Sequence, residues 1–336
     1  MAAVVAALVL SGCGGAEGSG QRPPDAGAPA PGGTTPQNPA QPGSADTTAP
    51  QSAPGSEGAT PPQPGSEGSG EPAPPPGPEL PAADVPLPKD AARLAEALET
   101  TSGALLDAID DWVGNGDPGQ ARPPEPVVLL ALHQQRVYRH LARRPDLADR
   151  TFDRLPAALA RAARDNVEAT SGLFSLTRPI SGSAKFRVQP AEPAEVLLGH
   201  FKKAERRFGV EWEVLAAVML VESRFGRVRS PSHAGAQGPM QFMPATWKAY
   251  GLGGDVQDPR DAVLGAANYL RASGAPRDYQ RALHAYNPTQ PYIDAVLLHA
   301  RQIKRDPRAY YAYYNWQVYV RTTKGDRRLT GPEPLD

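Results

Sequence analysis

The chain has 336 residues, and its 35 lysines and arginines nearly balance its 36 aspartates and glutamates, so the formal net charge is −1. This balance argues against nucleic acid as a main partner, because nucleic-acid-binding domains carry a clear basic excess. The single cysteine, Cys13, excludes an internal disulfide and a cysteine metal site.

The first 13 residues are apolar and end in Leu-Ser-Gly-Cys. This segment resembles the lipobox of bacterial lipoproteins, which implies cleavage and lipidation at Cys13. It is too short to remain as a membrane-spanning helix. No lysine or arginine precedes Arg22, although a signal segment should begin with basic residues, and this fits a start codon further upstream. An ordinary secretory signal with an incidental cysteine is the alternative.

Residues 14–83 consist mainly of Pro, Gly, Ser, Ala and Thr, with the repeat PGSEG at Pro54 and Pro64. Such a composition buries too little apolar surface to offset the chain entropy, and it predicts a disordered tether. As a flexible coil the tether would span about 40–50 Å.

Residues 84–178 contain three segments with apolar residues at helical spacing, namely 90–113, 127–143 and 152–173. Gly and Pro residues separate them. We expect a helical accessory module without a catalytic constellation.

The second of these helices is rich in basic side chains. This composition favours a solvated helix face over a site for a polyanion. The residues concerned are His133, Arg136, Arg139, His140, Arg143 and Arg144.

After a linker at 177–193, a helix with a basic outer face is predicted over 194–208. The next stretch, 211–226, places apolar residues such as Leu215 and Met219 on one helical face, and Glu222 shares that face. Poor solvation should raise the pKa of Glu222, as a general acid requires near neutral pH. The alternative is a glutamate at the helix end, beside Arg224, that reaches water. Gly226 is expected to cap this helix.

The following loop, from Ser230 to Gly238, carries glycines and uncharged hydrogen-bonding groups, and it leads into the run Met-Gln-Phe-Met at 240–243. Such groups suit the hydroxyls and amides of a sugar. The loop has no lysine of the phosphate-binding type, so its glycines do not indicate a phosphate site.

Three acids at Asp255, Asp258 and Asp261 allow a calcium site, but the full twelve-residue calcium loop and its final glutamate are absent. Asp258 as the N-cap of a helix that starts at Pro259 explains the same residues. Helices are predicted over 259–273, 278–286 and 290–305. Aromatic residues at alternating positions from Tyr311 are more typical of a strand or a small hairpin.

Four motifs now stand in order along the chain: VESRFG at 221–226, GAQGPMQFMPATW at 235–247, AANYL at 266–270 and ALHAYN at 282–287. Together they resemble the lytic murein transglycosylases, which are bacterial relatives of goose-type lysozyme. The nearest forms are the membrane-bound B type and its actinobacterial relatives. The resemblance covers about residues 195–305.

The resemblance implies an all-α fold with a lysozyme-like catalytic lobe over 194–308. Any β structure should be confined to loops and to an aromatic tail at 309–336. It also implies an extracytoplasmic lipoprotein that faces the cell wall and acts on peptidoglycan without a cofactor or a metal.

In the mechanism that the resemblance implies, Glu222 is the single acid and base. It protonates the glycosidic oxygen between N-acetylmuramic acid and N-acetylglucosamine, and it then deprotonates the muramoyl C6 hydroxyl, which closes a 1,6-anhydro ring. Retaining and inverting glycosidases usually employ two carboxylates, with substrate-assisted enzymes as exceptions.

The resemblance further implies substrate contacts from a set of polar side chains, one tyrosine and one methionine. For Ser223 a bond within the helix is an equal alternative, and Asn287 is expected mainly to orient the backbone near Tyr286. The residues assigned to substrate binding are Ser223, Ser232, Gln241, Met243, Tyr286 and Asn287.

Core positions are expected for Met240, Phe242, Asn268 and Tyr269. The chain departs from the family at Pro288 and Thr289, where many members have a glycine, so the glycan path on that side should differ.

Two other functions remain open. A hydrolytic muramidase would need a positioned water and usually a second carboxylate, for which Asp255, Asp258 and Asp294 are the candidates near in sequence. A wall-binding lipoprotein without catalysis would keep the groove but would have no need of a buried acid.

Overall fold

The computed structural model describes residues 80–120, 122–181 and 186–332. The predicted signal segment with Cys13, and the tether up to residue 79, lie outside this part. Within it, no helix is both long and apolar enough to cross a membrane.

The described residues form eleven helices followed by one antiparallel hairpin, which confirms the mainly helical fold. The helices are α1 Ala91–Asn115, α2 Glu125–Leu141, α3 Pro145–Phe152, α4 Ala157–Ser175, α5 Ala194–Phe208, α6 Trp212–Ser223, α7 Pro244–Tyr250, α8 Pro259–Ser273, α9 Tyr279–Tyr286, α10 Gln290–Arg305 and α11 Arg308–Tyr314. The hairpin pairs β1 Tyr319–Thr322 with β2 Gly325–Arg328.

Three helices begin at an aspartate whose side chain accepts a hydrogen bond from a backbone N–H three residues further on. Asp90 caps α1, Asp258 caps α8 and Asp278 caps α9. Such caps satisfy one of the N–H groups that a helix start leaves unpaired. The predicted N-cap at Asp258 is therefore confirmed.

The predicted accessory helices pack directly against the predicted catalytic ones. Helix α4 lies along α10, and α10 in turn lies along the central helix α6. At the first of these contacts, Arg301 of α10 pairs with Asp165 of α4 at 2.7 Å. The two parts therefore share one core, and the boundary between them stays a prediction.

Two predicted elements differ from the structure. The helix expected from Phe152 is divided, because Pro156 precedes α4 while α3 already ends at Phe152. The strand expected from Tyr311 is also wrong, because Tyr311 lies in α11. Buried tyrosines at 310, 311, 313 and 314 also fit helical spacing, and the hairpin begins only at Tyr319.

Candidate active site

Glu222 lies in the last turn of α6, and its environment is almost dry. Every residue of α6 from Val214 to Ser223 is buried, so this helix runs through the core rather than along the surface. The side chain of Glu222 is 4% exposed. The alternative of a helix-end glutamate that reaches water is therefore wrong.

The end of α6 is held by unusual backbone conformations. Arg224 and Phe225 both have positive φ angles, 53° and 58°, a region that residues with a Cβ rarely occupy. The helix ends at Ser223 with Arg224 as its C-cap, so the predicted cap at Gly226 is wrong. Backbone strain of this kind persists where the surrounding structure holds the chain in one conformation, and it is often found at functional sites.

Ser223 connects this helix end to the neighbouring loop. Its hydroxyl donates to the carbonyl oxygen of Pro239 and accepts a hydrogen bond of 2.8 Å from the N–H of Gly226. The side chain is fully buried. Both partners are backbone groups, so the Ser223 hydroxyl ties the end of α6 to the neighbouring loop.

Two tyrosine hydroxyls lie close to the Glu222 carboxyl. Burial, followed by the charge of Glu222, raises the pKa of Tyr286 well above its ordinary value. The same two causes raise the pKa of Tyr292, whose buried hydroxyl makes no hydrogen bond within the described residues. Both side chains are buried, and the Tyr286 hydroxyl donates to the carbonyl oxygen of Met240 at 2.7 Å. The acid therefore faces neutral phenol groups.

The loop after α6 turns sharply at Gly238. Its φ is +73°, and a Cβ at this position would lie 1.8 Å from the carbonyl oxygen of Val256. Glycine is thus required both by the backbone conformation and by the space. Across the turn, Gln237 and Phe242 exchange hydrogen bonds of 2.9 and 2.8 Å, and Gln241 is the last residue of the loop that they close.

Gln241 combines a positive φ of 50° with 3% exposure. Its side-chain nitrogen donates to the carbonyl oxygen of Gly238 at 2.9 Å. Its side-chain oxygen is buried and has no hydrogen-bond partner within the described residues. A buried acceptor left open in this way is costly unless a ligand satisfies it.

The remaining predicted contact residues occupy different settings. The Ser232 hydroxyl accepts a 2.9 Å hydrogen bond from the N–H of Ala236 and so closes its own loop. Met243 is half-buried at the start of α7. Asn287 is buried at the end of α9, where its side-chain oxygen accepts a hydrogen bond from Thr289. This contact is with a side chain, so the backbone role expected for Asn287 stays a prediction.

A row of aromatic rings runs past the acid. Neighbouring ring centroids are 4.7 to 5.9 Å apart in the order Trp247, Phe242, Tyr286, Tyr269 and Tyr250. Phe242 is buried, as predicted, whereas Tyr269 is half-buried rather than in the core. Half-exposed aromatic faces provide apolar area with a polar edge, which suits the stacking of a sugar ring.

Tyr292 is the main residue that sequence reasoning missed. It lies in the first turn of α10, outside all four motifs, and its side chain is completely buried. No spacing in the sequence relates Tyr292 to Glu222, because the two residues lie on different helices. They come together through the packing of α10 against α6, a contact between segments that are far apart in the chain.

The three aspartates that a second carboxylate would require have other partners. Asp255 accepts a hydrogen bond from the N–H of Gln257 and is exposed, and Asp258 caps α8. Asp294 accepts a 2.7 Å hydrogen bond from Gln290 within α10. Each carboxylate is thus engaged in local structure.

The comparisons with known proteins agree with this geometry. Residues 199–294 match the family described as the Transglycosylase SLT domain, and the match contains Glu222, the loop and the aromatic row. The resemblance to lytic transglycosylases, predicted from the four motifs, is confirmed.

Among curated proteins, the chain is similar to "Membrane-bound lytic murein transglycosylase F" of Thiobacillus denitrificans (strain ATCC 25259 / T1). The two are 29% identical over 120 residues, which is 33% of this chain and 25% of that protein. The alignment thus covers about a quarter of the relative's length. No solved structure shows a significant match.

Proposed function

We propose that this protein is a peptidoglycan lytic transglycosylase with Glu222 as its single acid and base. The observation that carries the proposal is the burial of Glu222 against the hydroxyls of Tyr286 and Tyr292, beside a row of aromatic rings. A desolvated carboxyl group favours its protonated form, which is the form that a general acid needs.

In the proposed reaction, protonated Glu222 transfers its proton to the glycosidic oxygen between N-acetylmuramic acid and N-acetylglucosamine. That bond then breaks, and the acetamido oxygen of the muramoyl residue stabilises its anomeric carbon. Glu222, now ionised, removes the proton of the C6 hydroxyl of the same sugar. The C6 oxygen bonds to the anomeric carbon and closes the 1,6-anhydro ring. No water is consumed.

The buried phenols beside Glu222 support both halves of this cycle. The Tyr292 hydroxyl makes no hydrogen bond in the described residues, so it would be available to donate one to the ionised carboxylate after the first proton transfer. General acid and base action of this kind is worth about 10² to 10⁴ in rate.

The substrate contacts follow from the same geometry. The open side-chain oxygen of Gln241 would accept a hydrogen bond from a sugar hydroxyl or amide. Ser232 would donate to the N-acetyl group, and Met243 and Tyr286 would line the groove. Asn287 would act through the backbone around Tyr286, and Ser223 would hold the end of α6.

Hydrolysis by a second carboxylate is less well supported. The carboxylates of Asp255, Asp258 and Asp294 are engaged in a turn, a helix cap and an intrahelical bond. Moving any of them to activate a water would break local structure. A purely wall-binding protein would retain the aromatic row, but it would have no use for the buried acid.

We further propose that the protein is extracytoplasmic and is held to a membrane by a lipid on Cys13. The residues around Cys13 resemble a lipobox, and the relative is described as membrane-bound. Replacement of Cys13 by serine should release the protein from the membrane fraction without changing its activity on soluble glycan. Continued membrane retention of Cys13→Ser would contradict the anchor.

The proposed reaction is tested by mass spectrometry of the fragments that the full chain releases from purified peptidoglycan, with Glu222→Gln as the control. Fragments that end in 1,6-anhydromuramic acid, and that disappear with Glu222→Gln, are expected. Reducing ends, heavier by one water, would establish a hydrolase instead. Glycan binding without any fragments would leave a wall-binding protein.

A further inference from the structure

We propose that a basic pocket between α2 and the hairpin β1–β2 binds a phosphate-bearing anion. This pocket has a volume of about 390 Å³ and belongs to neither the groove nor the predicted reaction. Its cationic lining residues are Arg136, Arg139, His140, Arg143, Arg144 and Arg328.

The pocket has more positive charge than its own carboxylates can neutralise. Among the residues that the structure describes, five arginines line it, against the two carboxylates Asp84 and Asp326. Asp326 alone pairs with both Arg139 and Arg143. Asp84 is half exposed and lies 3.6 Å from Arg328. An excess of three positive charges therefore remains in one concave site.

Several donors in the pocket still lack an acceptor. One terminal nitrogen of Arg136 and the Nε2 atom of His140 are buried without a hydrogen-bond partner in the described part of the chain. Within the described residues, the hydrogen bonds of the Arg144 guanidinium go to His140, to its carbonyl oxygen at 3.1 Å and to its Nδ1 atom at 3.3 Å. Buried donors of this kind are costly unless a bound group satisfies them.

The arginines at the base of the pocket are held rigidly. The Arg139 guanidinium lies 4.3 Å from the ring centroid of Tyr319 and 5.0 Å from that of Phe174, and its side chain is almost fully buried. Arg143 lies 4.1 Å from the same Phe174 ring. The arginine side chains at the bottom of the pocket are therefore already ordered, and binding of a ligand would cost little further side-chain entropy.

The chemistry favours an oxyanion over a neutral ligand. Planar guanidinium groups match the oxygen pairs of phosphate and carboxylate groups with two parallel hydrogen bonds. A neutral sugar would leave the excess charge in place. The volume lies at the low end of the range for small-molecule sites, about 300 to 1,000 Å³, so it would hold one or two phosphate groups with a small attached group.

The sequence favoured a solvated face for this helix, and the structure corrects that expectation for part of it. Arg139 is buried against the hairpin, and His133 is buried on another side of α2, where it contacts Thr101 at 2.9 Å. The hairpin lies nearly 180 residues further along the chain, so the pocket could not be seen in the local pattern.

The test is calorimetric titration of the full chain with pyrophosphate, then with inorganic phosphate, at low ionic strength. We expect saturable binding of pyrophosphate that weakens as salt is raised. Arg136→Gln and Arg144→Gln should each weaken it by about tenfold or more, which corresponds to about 1.4 kcal/mol. Arg161→Gln, the same charge change at an exposed site on α4, should leave it unchanged.

Two further measurements keep the result unambiguous. Arg144 is exposed, so Arg144→Gln should fold normally, and circular dichroism confirms that loss of binding is not loss of structure. Glu222→Gln should bind pyrophosphate as the parent chain does, because the pocket is independent of the catalytic acid. Failure of the proposed catalytic reaction would thus leave this proposal intact.

The source of the phosphate is distinguished with vesicles. A lipid headgroup would be the source if the protein floats with vesicles that contain phosphatidylglycerol but not with vesicles of phosphatidylcholine alone. Arg144→Gln should then abolish the flotation. Pyrophosphate binding without flotation would assign a soluble phosphate compound. No saturable binding of either kind, or equal binding by Arg144→Gln and Arg161→Gln, would overturn the proposal.

Discussion

The surroundings of Glu222 and the basic pocket on α2 use ionisable groups in different ways. The Glu222 carboxyl is buried beside the buried phenols of Tyr286 and Tyr292. Among the described residues, five arginines and two carboxylates line the pocket. The first site would suit a step in which one proton moves, whereas the pocket would suit recognition of a charge that the ligand already carries. Equivalent amide substitutions in the two regions should separate these roles.

The largest effect is expected for Glu222→Gln. Loss of the only proposed acid should reduce turnover of peptidoglycan by about 10² to 10⁴. The free energy of unfolding should stay the same or rise, because a neutral isostere replaces an acid held in a dry site. Turnover and urea denaturation, measured on the same preparation, check both halves. Activity close to that of the parent chain would remove Glu222 from the proposed mechanism.

The matching change in the basic pocket is Asp326→Asn, which should lower the stability of the fold and leave turnover unchanged. Burial lowers the pKa of Arg139, and Asp326 opposes that shift. Removing the carboxylate should destabilise the fold by about 2–4 kcal/mol, somewhat less than for a fully buried pair because Asp326 is partly exposed. Turnover of the folded enzyme should be unchanged. The exposed ion pair partner Asp149 supplies the control, and Asp149→Asn should cost less than about 1 kcal/mol.

The two regions also differ in how much of them the sequence could predict. Glu222, Gln241 and Tyr286 lie in motifs that resemble those of the lytic transglycosylases, and it is this resemblance that singled out Gln241 and Tyr286. Tyr292 was missed because its contact with Glu222 depends on the packing of α10 against α6. Helix periodicity reports which face of one helix is buried, but not which distant segment covers it.

The basic pocket shows the same limit more strongly. The hydrogen bonds of Arg139 and Arg143 to Asp326 join residues 187 and 183 positions apart. No local pattern could show that a hairpin near the end of the chain covers α2. The tail itself was misjudged at Tyr311, because aromatic residues at 310, 311, 313 and 314 fit a helix as well as a strand. Tertiary packing decided between them.

A pH effect on stability is expected at His299, a buried residue of α10, the helix that packs against α6. Burial, followed by the charge of Arg224, lowers the pKa of His299 to about 3. The unfolded chain takes up the proton near its ordinary pKa of about 6.5, so the contribution of this group to stability is lost as the pH falls below that value. Between pH 7.5 and pH 5 the loss should be about 2 kcal/mol.

Urea denaturation across this pH range checks the effect at His299. His299→Gln should flatten the dependence of the unfolding free energy on pH. His284→Gln, at an exposed position on α9, should leave the dependence unchanged. A slope that His299→Gln does not alter would show that the pKa of His299 is the same in the folded and the unfolded chain.

The smallest expected effect is at Ser223, which the sequence left equally open to a substrate contact and a structural role. Its hydroxyl contacts only backbone groups in the described residues, at Met219, Pro239 and Gly226. Ser223→Ala would leave the Pro239 oxygen and the Gly226 N–H without this partner, and it should cost about 1–2 kcal/mol of stability. KM should not change, and kcat should fall only as far as Glu222 loses its orientation. A raised KM with unchanged stability would instead place Ser223 on the substrate. The groove would then extend below the end of α6, and the distinction between residues that hold the acid and residues that hold the sugar would have to be redrawn.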